Sequence, residues 1–316
     1  MCGIAGQYCF LGLAPDRELL ERMSGQLIHR GPDGTGTEIR GCTGLVHRRL
    51  AIIDLSKDGL QPMTNEDKTL WLVYNGEIYN YIELRDELTR KGHHFHSQSD
   101  TEVILHAYEE WGTACLQQFN GMWAFALWDE KSQQLFCARD RFGIKPFYYT
   151  EIDGSFLFAS EIKALVEHPD AGKKPDDEVL GTYLAWGVQD HSARTMFDGI
   201  LQLKPAHALL VTKEGAHTPY RYWDVTINGS VQSDNGIEKE NGRFLDLLKD
   251  ATRIHLRSDV AVGTCLSGGI DSSTLAVLIN NLIREDAPPS VSDRQKTSSV
   301  VFTDKRIDES RYIDEI

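Results

Sequence analysis

The sequence predicts an α+β protein in two parts: a long strand-rich unit of stacked sheets with helices outside, then the opening of an α/β unit. Three observations carry this. From residue 2 to about 220, short apolar runs bounded by Gly, Asn and Asp outnumber helical stretches. The polar stretch "DVTINGSVQSDNG" (224–236) then interrupts the apolar periodicity, as an interdomain linker does. Beyond it, a helical stretch (238–257), an apolar run (260–266), the loop "SGGIDSS" and a second amphipathic stretch give the strand, glycine turn, helix order of an α/β domain. At 316 residues the chain exceeds the ~250 at which single cores stop growing. The expected division is a first domain over 2–223, a linker over 224–237 and a second domain over 238–316. About 80 residues with one strand–loop–helix unit bury little core, so the second domain is expected to be the N-terminal part of a larger, truncated one.

Within the first domain, "LWLVY" (70–74), "GMWAFALWD" (121–129), "LFCARD" (135–140) and "SFLFAS" (155–160) read as buried strands. Asn80 with Glu83 signals a helix start; Leu84 and Leu88 continue its apolar face, and "TRKG" ends it at Gly92. Ser99 with Glu102 opens a second helix, with Val103, Ile104, Ala107, Tyr108 and Trp111 on one face and Gly112 as its stop. Asp100 therefore sits at a helix N-terminus. In the second domain, Leu275, Leu278, Ile279 and Leu282 mark the apolar face of the last helix.

Composition narrows the class. With 41% hydrophobic and 25% charged residues the chain reads as an ordinary globular protein without a membrane span, and the first twenty residues lack a signal peptide's apolar run. The cytoplasm is the expected compartment. A net charge of −14 disfavours a nucleic-acid partner. The six cysteines form no C-x-x-C pair and no dense framework, as in a reducing compartment.

Cys2 stands apart, because removal of Met1 makes it the N-terminal residue. A thiol is a nucleophile only as thiolate, and a free α-amino group with a pKa of ~7.7–8.0 lies within a few bonds to take its proton. Position alone is weak support. In "YNGEIYN" (74–80) a strand runs into Asn75-Gly76; the dipeptide is a hairpin turn in one reading. In the other, the Asn75 amide and the Gly76 N–H are two donors for an oxyanion. "HRRLAIIDL" (47–55) places Arg48 and Arg49 before an apolar strand, where an arginine fork suits a carboxylate and a solvated strand edge is the alternative. Asp100 either caps its helix or pairs with a substrate ammonium. Together these describe a site for an α-amino acid with an amide to cleave. "SGGIDSS" (267–273), between strand and helix, presents glycines, a helix N-terminus and hydroxyls to a phosphate, without the Gly-Lys-Ser/Thr of a Walker loop. "GHHFH" (92–96) holds three imidazoles on a short extended segment with no further Cys or His at ligand spacing, so a metal is not expected there.

The series "MCGIAG", "HRGPDG" (29–34), "HRRLAIIDL", "YNGEIYN", "SDTEV" (99–103), "DRFGIKPFYY" (140–149) and "LSGGIDSS" resembles glutamine-hydrolysing asparagine synthetases. The resemblance implies a class II glutamine amidotransferase domain with the N-terminal-nucleophile hydrolase fold, four layers in the order αββα. It is followed by the start of an adenine-nucleotide α-hydrolase-like synthetase domain. It implies Cys2 as nucleophile and Asn75 and Gly76 as oxyanion donors. Arg49 becomes the glutamine carboxylate clamp, and Glu77 and Asp100 surround the amino group. Leu266, Ser267, Gly268, Gly269, Asp271, Ser272 and Ser273 match the ATP loop, and Val300 an adenine contact. Glutamine, aspartate and ATP are the implied substrates, Mg²⁺ the implied ion, and a homodimer the implied assembly. Relatives that aminate another carboxylate, and a glutaminase-like regulatory protein without synthetase activity, are the competing readings.

Overall fold

In the strand Leu70–Ile78, Leu70, Leu72 and Tyr74 pack against helices, while Trp71 and Val73 pack against a second sheet. Both faces of a strand are covered only when its sheet lies between two layers. The computed structural model describes residues 1–172, 174–226, 237–285 and 295–316, in two compact units, Met1–Thr226 and Ile227–Ile316.

In the first unit the strands are β1 (Gly3–Cys9), β2 (Gly34–Arg40), β3 (Thr43–Arg49), β4 (Met63–Thr64), β5 (Leu70–Ile78), β6 (Gly121–Asp129), β7 (Gln134–Arg139), β8 (Tyr148–Ile152), β9 (Ser155–Ala159), β10 (Leu201–Gln202), β11 (His207–Thr212), β12 (Gly215–Ala216) and β13 (Tyr220–Arg221). The helices are α1 (Arg17–Gln26), α2 (Tyr81–Arg90), α3 (Asp100–Trp111), α4 (Ile162–Leu165) and α5 (Asp177–Trp186). One sheet has the order β10-β8-β9-β1-β3-β2 and the other β12-β11-β7-β6-β5-β4, with antiparallel neighbours throughout. Ile4, Leu45 and Phe158 meet Val73, Trp128 and Leu209 in the core between the sheets. Val103, Ile104 and Leu88 cover the outer face of one sheet; Leu20, Met23 and Leu165 cover that of the other. The expected αββα order is the one observed.

Several local expectations are corrected. Asn75-Gly76 does not end a strand: β5 runs on to Ile78, because β6 pairs with it along its whole length, including Asn75↔Ala124 and Gly76↔Trp123. The arginines of "HRRLAIIDL" close β3 rather than precede a strand, and the apolar residues after Arg49 form a loop in which Asp54 has φ +56°. Asn80 makes no side-chain cap on α2; its amide instead donates to Gln118 O (2.9 Å) and accepts from Asn120 N (2.9 Å). Ser99 does cap α3 through Thr101 N (3.1 Å), but Glu102 turns back to His96 N, Ser97 N and Ser97 Oγ at 2.7–2.8 Å instead of closing a capping box.

In the second unit, α6 (Ile237–His255) precedes β14 (Gly263–Cys265), α7 (Ile270–Glu285), β15 (Lys296–Ser298) and α8 (Ser310–Ile313). β14 and β15 are parallel, as α/β connectivity requires. The strand expected over 260–266 is shorter, since only residues 263–265 find partners on β15. On α7, Leu278 and Ile279 are buried, whereas Leu275 is 42% exposed and does not join the core face expected of it. Residues 227–236 of the expected linker lie outside the described residues.

Candidate active site

β1 and β3 run antiparallel with Gly3 opposite Arg48, so the next step of the same register sets Cys2 beside Arg49. The strand pairing itself brings the two residues together. β1 is the inner strand of its sheet, held on its other edge by β9; Ile4 N donates to Ser160 Oγ (3.0 Å) and Ser160 N to Ile4 O (2.8 Å). Arg30 fixes the Cys2 carbonyl through its Nε (2.9 Å) while its Nη1 pairs with Glu161 (2.9 Å). The Cys2 Sγ lies against Leu50, accepting from its N–H (3.4 Å) and donating to its carbonyl (3.6 Å). Burial pushes the Cys2 thiol up from its ordinary value and the Met1 amino group down.

A cavity of about 270 Å³ opens beside Cys2, with Arg49, Asn75, Gly76, Glu77, Asp100 and Lys145 among its lining residues. This is just below the ~300–1,000 Å³ of larger ligand sites and suits one small molecule. Arg49 is buried, its Nη1 donating to Ser56 O (2.6 Å) and its Nη2 to Ile53 O (3.5 Å) and Asp54 O, so the loop after β3 aims the guanidinium. Arg48 points away, to Ser24 Oγ (2.9 Å), and takes no part.

Asn75 and Glu77, two apart on β5, share the inward face that Trp71 and Val73 begin. Asn75 is 1% exposed, and among the described residues neither its Oδ1 nor its Nδ2 has a hydrogen-bond partner. An orphaned buried amide costs about 1–3 kcal/mol, so it marks a position where something else is received. Tyr74 N donates to Gln61 Oε1 (2.7 Å) and Ile78 N to Asp100 Oδ2 (2.9 Å), both away from β6. By the two-residue period Gly76 N–H faces the same way, along an edge that β4 leaves uncovered because it pairs only with Trp71 and Leu72. Glycine is required at 76: a Cβ would stand 2.3 Å from Met122 O and 2.6 Å from Trp123 Cα.

The cavity holds both signs of charge. Asp100, fully buried at the start of α3, accepts from Tyr74 OH (2.8 Å) and Ile78 N, and burial raises its pKa. Glu77 is pushed up to about 7, first by burial and then by the neighbouring Asp100. Lys145, 5% exposed, makes no hydrogen bond or ion pair with its ammonium among the described residues; burial lowers its pKa and Glu77 opposes that. Two cations, Arg49 and Lys145, and two carboxyls, Glu77 and Asp100, thus line one small space. The site brings together all six residues expected in the first domain. It adds three that sequence reasoning missed, Lys145, Arg30 and Gln61; the first two lie within "DRFGIKPFYY" and "HRGPDG", whose clustering of charge with glycine was the available signal.

In the second unit, Ser267 N donates to Ser272 Oγ (3.2 Å) and Gly269 N lies 3.4 Å from Ser267 Oγ, closing a turn at the start of α7 with Gly268 at φ +78°. A Cβ at Gly268 would stand 2.5 Å from the Cβ of Tyr312, so α8 packs directly on the loop. Ser273 Oγ is buried without a partner among the described residues, and Asp271 is exposed. Leu266 is buried beside β15, its N–H on Ser298 O (3.0 Å) and its carbonyl accepting from Ser299 Oγ (2.7 Å); Val300, just beyond, is 71% exposed.

Residues 1–223 match the glutamine amidotransferase domain and residues 243–316 the asparagine synthase family. The chain belongs to the glutamine amidotransferase family. Its amidotransferase domain and the segment after it are together 41% identical to asparagine synthetase [glutamine-hydrolyzing] 3 of Bacillus subtilis, over 88% of this chain and 45% of that protein. They are 36% identical to a putative asparagine synthetase [glutamine-hydrolyzing] of Methanocaldococcus jannaschii, over 99% of this chain and 62% of that protein. The chain spans about half the length of the curated relatives it matches. Among solved structures, glutamine phosphoribosylpyrophosphate amidotransferase of B. subtilis shares the fold at TM-score 0.52 and 20% identity, over 72% of this chain and 50% of that one. The resemblance to glutamine-hydrolysing asparagine synthetases and the N-terminal-nucleophile fold expected from it both stand. Among the described residues, no helix is long and apolar enough to cross a membrane.

Proposed function

We propose that the first unit hydrolyses glutamine at Cys2 and that the ammonia released serves an ATP-dependent amidation, with aspartate as the acceptor and asparagine as the product. The observation that supports this most is the buried, unpartnered Asn75 amide on the wall of the cavity that Cys2 and Arg49 share.

In this reading Arg49 receives the substrate carboxylate, and Glu77 and Asp100 receive its ammonium. A zwitterion held at both ends leaves its side-chain amide toward Cys2. Removal of Met1 frees the Cys2 amino group, which takes the thiol proton. Sγ then bonds to the amide carbon; the carbonyl oxygen becomes an oxyanion held by Asn75 Nδ2 and Gly76 N–H. As the C–N bond breaks, the proton passes to the departing nitrogen and ammonia leaves a γ-glutamyl thioester. Water attacks that thioester, releasing glutamate and restoring the thiol. With Met1 in place the base is on the wrong residue, so the unprocessed chain is inert toward glutamine.

For the second unit, the turn Ser267–Ser273 fits a phosphate: Ser273 Oγ is orphaned in a buried position, and a 16-residue helix begins there. ATP is a substrate in this reading, held by Leu266, Ser267, Gly268, Gly269, Asp271, Ser272 and Ser273, with Val300 toward the adenine. Mg²⁺ would supply charge neutralisation on the phosphates, and Asp271, the loop's exposed carboxylate, would help to hold it.

The test is glutamate release by the processed protein and by Cys2→Ala, with intact-mass measurement of the N-terminus. Equal rates in the two would overturn the nucleophile. Aspartate-dependent release of pyrophosphate from ATP, measured on the full gene product, tests the acceptor separately.

A further inference from the structure

The segment "GHHFH" does find a partner, though not one near it in sequence. His93, just past the end of α2, faces His106 of α3: their Nδ1 atoms are 3.3 Å apart. Glu109, one turn on along α3, brings its Oε2 to 2.9 Å from His106 Nδ1 and 3.5 Å from His93 Nδ1. Three ligand atoms of zinc-binding type thus form a triangle with edges of 2.9, 3.3 and 3.5 Å. Bonds of ~2.0–2.1 Å in a tetrahedron place neighbouring ligand atoms about 3.3 Å apart.

Ring placement fits a shared ion. Two imidazoles converging on one tetrahedral ion put their centroids about 5.2 Å apart. The observed separation is 5.1 Å at an interplanar angle of 57°. His106 is 1% exposed and Phe95 stands edge-on to it at 4.6 Å, so its ring is not free to turn.

Each of the three side chains also has an outer partner of the kind that orients metal ligands. His106 Nε2 faces Glu102 Oε1 (3.7 Å), and Glu102 is itself held by His96 N and Ser97 N at 2.8 Å. His93 Nε2 faces Glu110 Oε2 (3.4 Å), whose other oxygen takes Lys91 Nζ (2.9 Å). Glu109 Oε1 accepts from Asn65 Nδ2 (2.7 Å), which leaves Oε2 for the triangle.

We propose that His93, His106 and Glu109 bind one divalent transition-metal ion of the zinc class, with the fourth position open to water on the exposed side of Glu109. Imidazole and carboxylate ligands in tetrahedral array suit Zn²⁺ over Mg²⁺ or Ca²⁺, which take oxygen ligands at higher coordination number. The ion ties the end of α2 to the middle of α3, six residues from Asp100, which α3 places in the cavity. At 1.5 Å per residue that is about 9 Å along the axis, too far to touch substrate. Its role is to fasten the helix.

The test uses the full chain carrying Cys2→Ala, so that the active-site thiol cannot take the ion. Chelator-stripped protein is titrated with Zn²⁺ alone against a chromophoric indicator and with Co²⁺ for its absorption bands. One equivalent, intense tetrahedral Co²⁺ bands, and at least a tenfold loss of affinity in His93→Ala and in Glu109→Gln are expected. Both substitutions lie at the rim, and their far-ultraviolet circular dichroism should match the parent. Binding that is equally tight in both variants, or no binding beyond that of exposed histidines, would overturn the site and leave a hydrogen-bonded His–Glu cluster.

Discussion

Glu77→Gln isolates the least comfortable charge in the cavity. Burial and Asp100 raise the Glu77 carboxyl from 4.5 to about 7. In the unfolded chain it loses its proton near 4.5 and in the folded chain near 7, so between those values the folded state holds the extra proton and stability falls as pH rises. At 1.36 kcal/mol per pH unit the loss approaches about 3 kcal/mol, complete above pH 7 and absent below 4.5. Glutamine at 77 removes that slope. Urea unfolding followed by tryptophan fluorescence reports the right unit, because all six tryptophans precede residue 227. The expected result is that Glu77→Gln gains about 3 kcal/mol on the parent between pH 4.5 and 8, most of it below pH 7. A bound ammonium favours the ionised carboxylate, so the parent's KM for glutamine should also rise as pH falls through 7, and the variant's should not. A stability difference between parent and variant that stays constant across this range would show Glu77 ionised throughout and refute the reasoning.

Lys145→Met removes the cation that opposes burial at Glu77, so the inflection in KM should move above pH 7, whereas Asp100→Asn should move it down; pH–rate profiles of the two variants read both shifts. Asn75→Ala should lower kcat by roughly 10²–10³ with little loss of stability, since the amide it removes has no partner in the fold; kinetics and urea unfolding on the same preparation separate the two effects. Gly76→Ala should behave oppositely, costing roughly 1–3 kcal/mol because its Cβ meets the backbone of β6; a melting curve unchanged from the parent would contradict the close approach of β5 and β6.

The layered fold was legible because it rests on periodicity. "GMWAFALWD" is apolar on both faces, which only a sandwiched strand tolerates, and β6 spans the nine residues expected. What sequence could not supply was register and reach. Nothing in "HRRLAIIDL" says that the second arginine ends a strand, because that limit is set by where β1 and β2 stop pairing with β3. Asn75-Gly76 reads as a turn until its partner, fifty residues on, is found to continue past it. Lys145 was hidden for a simpler reason: a single lysine in a loop is usually solvated, and only the packing around it shows that this one is not. His93 and His106 carry no ligand spacing at all, since α2 and α3 are folded together by contacts elsewhere.

The pairing of β1 between β3 and β9 also sets a clock. β3 is complete at residue 49, but β9 ends at Ala159, so the inner edge of the amino-terminal strand cannot be sealed until some 160 residues have been translated. At ~5–20 residues per second that leaves roughly 8–30 s, during which the start of the chain is outside the ribosome and not yet enclosed. Met1 remains 57% exposed once the unit is folded, so a processing enzyme can reach it both before and after β9 closes on β1.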